Sequence, residues 1–207
     1  MIDQDIEKIK RDIKLQSENM IARFEQDYIY DGDQNYFKEV DKKVFNDGVY
    51  EGDLDEKERR HGYGIFRYSN NDIYAGEWFE NKANGQGFYF FANNDRYEGN
   101  LQHERKHGKG KYTFYKNGNV YNGRWENDRR HGRGECLYLL TGEKYVGEWN
   151  NGLKHGKGQF YLSNGDVYEG NFYEGVKSGI GKITYNNGTE FNGEWNNDKY
   201  VLYLFGF

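Results

Sequence analysis

The chain's 207 residues carry a net charge of −5 and a mean hydropathy of −1.15, a balance too polar for a thick aliphatic core and too acidic for a general attraction to nucleic acid. A single cysteine excludes an intramolecular disulfide framework and suits a reducing, cytoplasmic setting. No apolar run approaches the length of a membrane span.

Rings supply the missing apolar area. With 20 Tyr and 14 Phe, aromatics reach 18%, and each can bury ~150–250 Å². Proline is absent, as expected where most strands are paired on both sides and every N–H is needed for the ladder.

Residues 1–27 form the first predicted element. Ile2, Ile6, Ile9, Ile13, Met20 and Phe24 follow steps near three and four, interrupted at Gln16, which predicts an amphipathic helix. It serves either as a cap on the repeats that follow or as a helix offered to a partner. The opening MIDQDIEKIKRDIK is too charged for a secretory signal. Residues 28–49 read as a degenerate first repeat or a linker. Within them Asp31-Gly32-Asp33-Gln34-Asn35 resembles the start of a calcium loop. However, Tyr36 stands where glycine is needed and Lys42 where glutamate is needed, so no calcium site is expected.

Residues 50–199 are built on a repeat. Aromatics in the frame Y-x-G-x-[WLF] fall at Tyr50, Tyr74, Tyr97, Tyr121, Tyr145, Tyr168 and Phe191, in steps of 24, 23, 24, 24, 23 and 23 residues. Trp78, Trp125, Trp149 and Trp195 close four of these frames. Ten or eleven residues after each aromatic from Tyr50 to Tyr168 comes [HNS]-G-x-G, beginning at His61, Asn84, His107, His131, His155 and Ser178. The internal period is two: Tyr74, Gly76 and Trp78 share one face of a strand, and Gly87, Tyr89 and Phe91 one face of the next. Each repeat is therefore a β-hairpin that continues the sheet of the one before. Asn117-Gly118, Asn164-Gly165 and Asn187-Gly188 suit type I′ turns between them. The inward glycines leave room for a neighbouring ring, and stability comes from stacking one hairpin on the next.

Other motifs inside the repeats are weak. His103-Glu104-Arg105-Lys106-His107 spells H-E-x-x-H, but a zinc protease needs that run on a helix and here it spans a hairpin turn. Cys136 falls at an aromatic position of the other repeats and reads as a small core residue. Gly108–Lys111 lacks the spacing of a phosphate loop. No catalytic residue, cofactor or metal ligand is expected. Basic residues recur before each H-G step: Arg59, Arg60, Arg105, Lys106, Arg129, Arg130 and Lys154. They form either an edge for an anionic partner, lipid or protein, or a solvated face diluted by interleaved Glu and Asp.

Residues 200–207 depart from the repeat into the most hydrophobic stretch of the chain. Tyr200, Leu202, Tyr203, Leu204, Phe205 and Phe207 lie where a solenoid should end in a polar cap. They either fold back to close the last hairpin or pair with a partner, including a second copy.

Segments such as YAGEWFENKANGQGFYFF and YVGEWNNGLKHGKGQFYLSNG resemble MORN repeats over about residues 50–195. Leu54, Leu101 and Phe172 replace the Trp, and Asn84 and Ser178 the His. The resemblance implies an all-β fold, an elongated single antiparallel sheet of stacked hairpins with one N-terminal α-helix. It also implies a non-enzymatic scaffold that binds other proteins of a multi-subunit assembly, with no nucleic acid. The ciliary axoneme and its radial-spoke heads are the expected setting, and docking on anionic phospholipid is the alternative.

Overall fold

The structure, a computed structural model, describes residues 2–24 and 41–201; the calcium-like run at 31–35 and the tail 202–207 lie outside them. The chain divides into two compact units, Met1–Gly118 and Asn119–Phe207. The first holds α1 (Ile2–Phe24), β1 (Asp41–Phe45), β2 (Gly48–Leu54), β3 (Arg60–Tyr68), β4 (Ile73–Phe79), β5 (Lys82–Phe90), β6 (Arg96–Gln102) and β7 (Arg105–Thr113). The second holds β8 (Val120–Glu126), β9 (Arg129–Tyr138), β10 (Glu143–Asn150), β11 (Leu153–Tyr161), β12 (Val167–Tyr173), β13 (Val176–Thr184), β14 (Glu190–Asn196) and β15 (Lys199–Tyr200). The fold is all-β and antiparallel, with strands in chain order. No described helix is long and apolar enough to cross a membrane.

Register follows from the glycines. Gly52 faces Gly64, Gly64 faces Gly76, and in the second unit Gly134 faces Gly147 and Gly147 faces Gly158. The repeat tyrosine fills the space that these glycines leave. A Cβ on Gly158 would lie 2.6 Å from the Tyr145 ring, and one on Gly87 2.5 Å from that of Tyr74. Tyr50, Tyr74, Tyr121, Tyr145 and Tyr168 are thereby fully buried. Each hydroxyl donates to a carbonyl three residues on, as Tyr145 does to Glu148 at 2.8 Å. The tryptophans stand edge-on between consecutive tyrosines: Trp149 lies 5.2 Å from both Tyr121 and Tyr145, and its Nε1–H donates to the Gly134 carbonyl at 3.2 Å. Where Trp is replaced, Phe172 keeps the contact, 4.9 Å from Tyr145 and 5.3 Å from Tyr168.

This packing makes a sharp prediction. Gly158→Val puts methyl groups where the Tyr145 ring lies, and overpacking of this kind costs about 3 kcal/mol. Chemical denaturation of the variant should show a lowered midpoint for the second unit; an unchanged midpoint would contradict the ring-on-glycine packing.

The turns differ from the sequence expectation. Type I′ geometry, with positive φ at both central residues, occurs at the opposite ends of the hairpins: Glu80 and Asn81, His103 and Glu104, Asn127 and Asp128, Asn151 and Gly152. At the Asn-Gly turns Gly165 and Gly188 have positive φ while Asn164 and Asn187 do not. There Asn164 Oδ1 accepts from the Asp166 N–H at 3.1 Å and the Gly165 N–H donates to the Leu162 carbonyl at 3.1 Å. An Asx interaction within a three-residue loop has displaced the two-residue turn. Both ends also tie one hairpin to the next. Asp72, Asp95 and Asp166 accept from N–H groups about one repeat later, at Ala92, Tyr115 and Asn186 (2.7–2.9 Å). The turn N–H groups of Gly152 and Gly175 donate back to the carbonyls of Arg130 and Lys154, each at 2.9 Å.

In the first unit α1 lies against the face opposite the tyrosines. Ile65 and Ala75 are fully buried there, packed with Ile73 and Phe88. Met20 borders Phe88 and Phe90, Ile21 borders Ile73 and Phe90, and the Lys10 ammonium sits 5.9 Å over the Tyr115 ring. Lys10, Met20 and Ile21 are thus the half-buried side chains among those described on α1, and the others, Leu15 included, are exposed.

Candidate interaction surfaces

The basic residues separate into two populations. In each hairpin a bulge falls between the glycine row and the turn, for example between Gly123 and Trp125. Its extra residues include the H-G glycine, which takes positive φ at Gly132 and Gly156. Because successive strand residues point to opposite faces, only the second member of each basic pair reaches the tyrosine face. Arg60 lies 4.5 Å from the Phe66 ring centroid and 4.6 Å from that of Trp78. Lys106 lies 5.6 Å over Tyr112, Arg130 4.2 Å over Trp149, Lys154 4.6 Å over Phe160 and Lys177 4.9 Å over Tyr168. Arg130 also donates to the Gly152 carbonyl at 2.6 Å. Burial against the rings lowers the pKa of Lys154 and Lys177, and Asp198 opposes that shift in both. These cations cover the aromatic stack through cation–π contact.

The first members point elsewhere. Arg59 pairs with Asp55 at 2.7 Å and Glu80 at 2.9 Å, and its hydrogen bonds hold the Asp55 carboxyl down at about 2. Arg105 and Arg129 are exposed. The edge read as one basic strip thus contains ring-covering cations and exposed ones, and Leu153 and Val176 interrupt the exposed row.

His103 and Glu104 form the turn between β6 and β7, so the H-E-x-x-H run has no helical geometry. Cys136 is buried opposite Tyr121 and Tyr145, and burial pushes its thiol pKa up. Tyr200 occupies the repeat position that Arg130 and Lys154 hold elsewhere. Its ring lies 4.3 Å from Phe191 and 6.1 Å from Trp195, and the Val201 N–H donates to the Glu194 carbonyl at 2.8 Å. The chain therefore turns back along β14 at least to Val201. Leu202, Tyr203, Leu204, Phe205 and Phe207 lie outside the described residues.

The sequence reading missed a trough of about 830 Å³ on the face of the second unit opposite its tyrosines. Its floor is the backbone of Gly134, Gly147, Gly158 and Gly170, whose missing Cβ positions point towards the rings beneath. The wall nearer the type I′ turns is formed by Arg133, Glu148, Lys157, Asn171 and Ile180, and the other by Glu135, Val146, Gln159 and Glu169. Glu148 is held in place, accepting from the Lys157 N–H at 3.3 Å. Ile180 is 68% exposed, so its apolar surface faces solvent. In the first unit the corresponding positions carry Ile65, Ala75 and Phe88, packed in one apolar cluster, with Phe88 beside Met20 of α1. A change from apolar to mixed polar residues at those positions was the available sequence signal.

The MORN repeat profile matches residues 59–73, 74–96, 97–119, 121–138, 145–167 and 168–190. No curated protein sequence matches the chain. Among solved structures, the SAS-4 (dCPAP) TCP domain of Drosophila melanogaster, in complex with a proline-rich motif of Ana2 (dSTIL), is similar at 12% identity and a TM-score of 0.44, covering 64% of this chain and 73% of that one. The wild-type TCP10 domain of Danio rerio CPAP is similar at 12% identity and a TM-score of 0.45, covering 74% of this chain and 73% of that one.

Proposed function

The chain belongs to the MORN repeat family, and from that premise we propose that it is a non-enzymatic scaffold that holds a partner protein in the trough of its second unit. The observation that carries this reading is the open, glycine-floored trough with Val146 and Ile180 in its walls. MORN is a structural repeat; the buried tyrosines and tryptophans hold the sheet together beneath the trough, and the glycines form its floor. We assign the scaffold to a cytoskeletal assembly, with the ciliary axoneme and its radial-spoke head as the specific setting. A photo-crosslinking residue at Val146 in the full chain, expressed in native cells, tests the reading. Recovery of a covalently linked protein is the expected result; a probe that captures no protein there refutes it.

A second reading, docking on anionic phospholipid, is favoured by the exposure of Arg105 and Arg129. Arg129→Glu with Arg105→Glu should then weaken binding to acidic liposomes, and salt should weaken it further, because exposed charges are screened within ~10 Å at 0.1 M. Arg130→Glu is the wrong probe, since Arg130 covers Trp149 and its reversal damages the fold. Equal binding to neutral and acidic vesicles would count against this reading.

A further inference from the structure

We propose that the trough takes one α-helix of a partner protein, mixed in charge, with its acidic edge against Arg133 and Lys157. This deepens the scaffold reading above and rests on it.

The backbone decides against an extended segment. On the trough floor Gly147 pairs with Gly134 on one side and Gly158 on the other, and Gly158 pairs in turn with Gly170. The ladder groups of these central strands already have partners, so an added strand would find no edge there. A helix satisfies its own backbone groups and needs only side-chain contact. The first unit already uses that solution: α1 lies on the face opposite the tyrosines, with Met20 against Phe88. From β9 to β13 the trough crosses four strand spacings, ~19 Å at ~4.8 Å each, which ~13 helical residues span at ~1.5 Å per residue.

The walls set the chemistry of the occupant. Val146 and Ile180 are the apolar contacts, one on each wall. Arg133 and Lys157 share one wall with Glu148, whose carboxylate is held on the Lys157 N–H; neither cation has an ion pair or side-chain hydrogen bond to another described residue, and the wall carries a net positive charge. Glu135 and Glu169 stand on the other wall, Glu135 beside the Lys144 ammonium at 3.6 Å. A helix with an apolar ridge, glutamates along one edge and lysines along the other matches both walls, and the unlike walls fix its direction.

The test uses the full chain and four synthetic helical peptides with one apolar ridge. Their edges are Glu/Lys, Lys/Lys and Glu/Glu, and the fourth is the Glu/Lys peptide broken by a central proline. By fluorescence anisotropy at physiological salt the Glu/Lys helix should bind at least tenfold more tightly than the Lys/Lys and proline-broken forms. Arg133→Glu with Lys157→Glu should reduce that binding tenfold or more and make the Lys/Lys helix the preferred one; circular dichroism should stay unchanged, both residues being exposed. Equal binding of all peptides, binding of none, or indifference to the double substitution overturns the proposal. So does preferential capture of a peptide of residues 2–24, which would make the occupant a second copy of this chain. If the helices fail while the Val146 crosslink still recovers a protein, only the helix assignment falls; if both fail, the scaffold reading falls too.

Discussion

Tyr145→Ala is expected to destabilise the second unit by about 4 kcal/mol, the usual cost of deleting a fully buried aromatic ring. The ring is buried completely, lies over Gly147 and Gly158, and meets Trp149 at 5.2 Å and Phe172 at 4.9 Å. Its removal opens a void that neither glycine can fill, and it unseats one of the two tyrosines against which Trp149 is held. Tyr145→Phe keeps the ring and loses only the hydroxyl, which donates to the Glu148 carbonyl at 2.8 Å and lies 3.5 Å from that of His155, a cost of about 1 kcal/mol. Both variants lack the hydroxyl and differ by the aromatic ring alone, so denaturant titration separates packing from hydrogen bonding directly. Similar losses in both would show that the hydroxyl, and not the ring, holds the hairpins together.

Raising the pH should unfold the protein cooperatively between about pH 10 and 12. Burial raises the pKa of Tyr50, Tyr74, Tyr121 and Tyr145, and brings those of Tyr68 and Tyr168 to about 12. In the unfolded chain these phenols ionise near ~10. Below that pH both states keep the proton, and the stability from burying a neutral phenol is fully present. Above it the unfolded state alone releases protons, and stability falls until the folded-state values are reached. Each fully buried tyrosine removes at most ~1.4 kcal/mol per pH unit, so several acting together exhaust a stability of ~5–15 kcal/mol within one or two units. Tyrosinate absorbance at 295 nm should therefore rise in step with the loss of far-ultraviolet circular dichroism. Independent titration near pH 10 with the sheet intact would contradict the burial.

The sequence by itself determined the period, the hairpins and the aromatic face. These follow from alternation within a strand and from glycine facing tyrosine, both local relations that recur in phase from Tyr50 to Trp195. It also indicated the helix at the N-terminus and the burial of Cys136. Other features needed the tertiary structure. The type I′ turns sit at Asn127-Asp128 and its equivalents, where even Glu80 and Glu104 are held at left-handed φ although only Asn, Asp, His and Gly favour it, while Asx bonding takes Asn164-Gly165 into another geometry. The bulge after each glycine row decides that Arg130 covers Trp149 while Arg129 faces solvent. Nothing in the adjacent pair of arginines reveals that division, because it depends on how many residues the partner strand leaves unmatched. The trough is decided at the same level. Arg133, Val146, Lys157 and Ile180 are unremarkable surface residues along the chain, and they become two walls only when the glycine rows of β9 to β13 align across the strands.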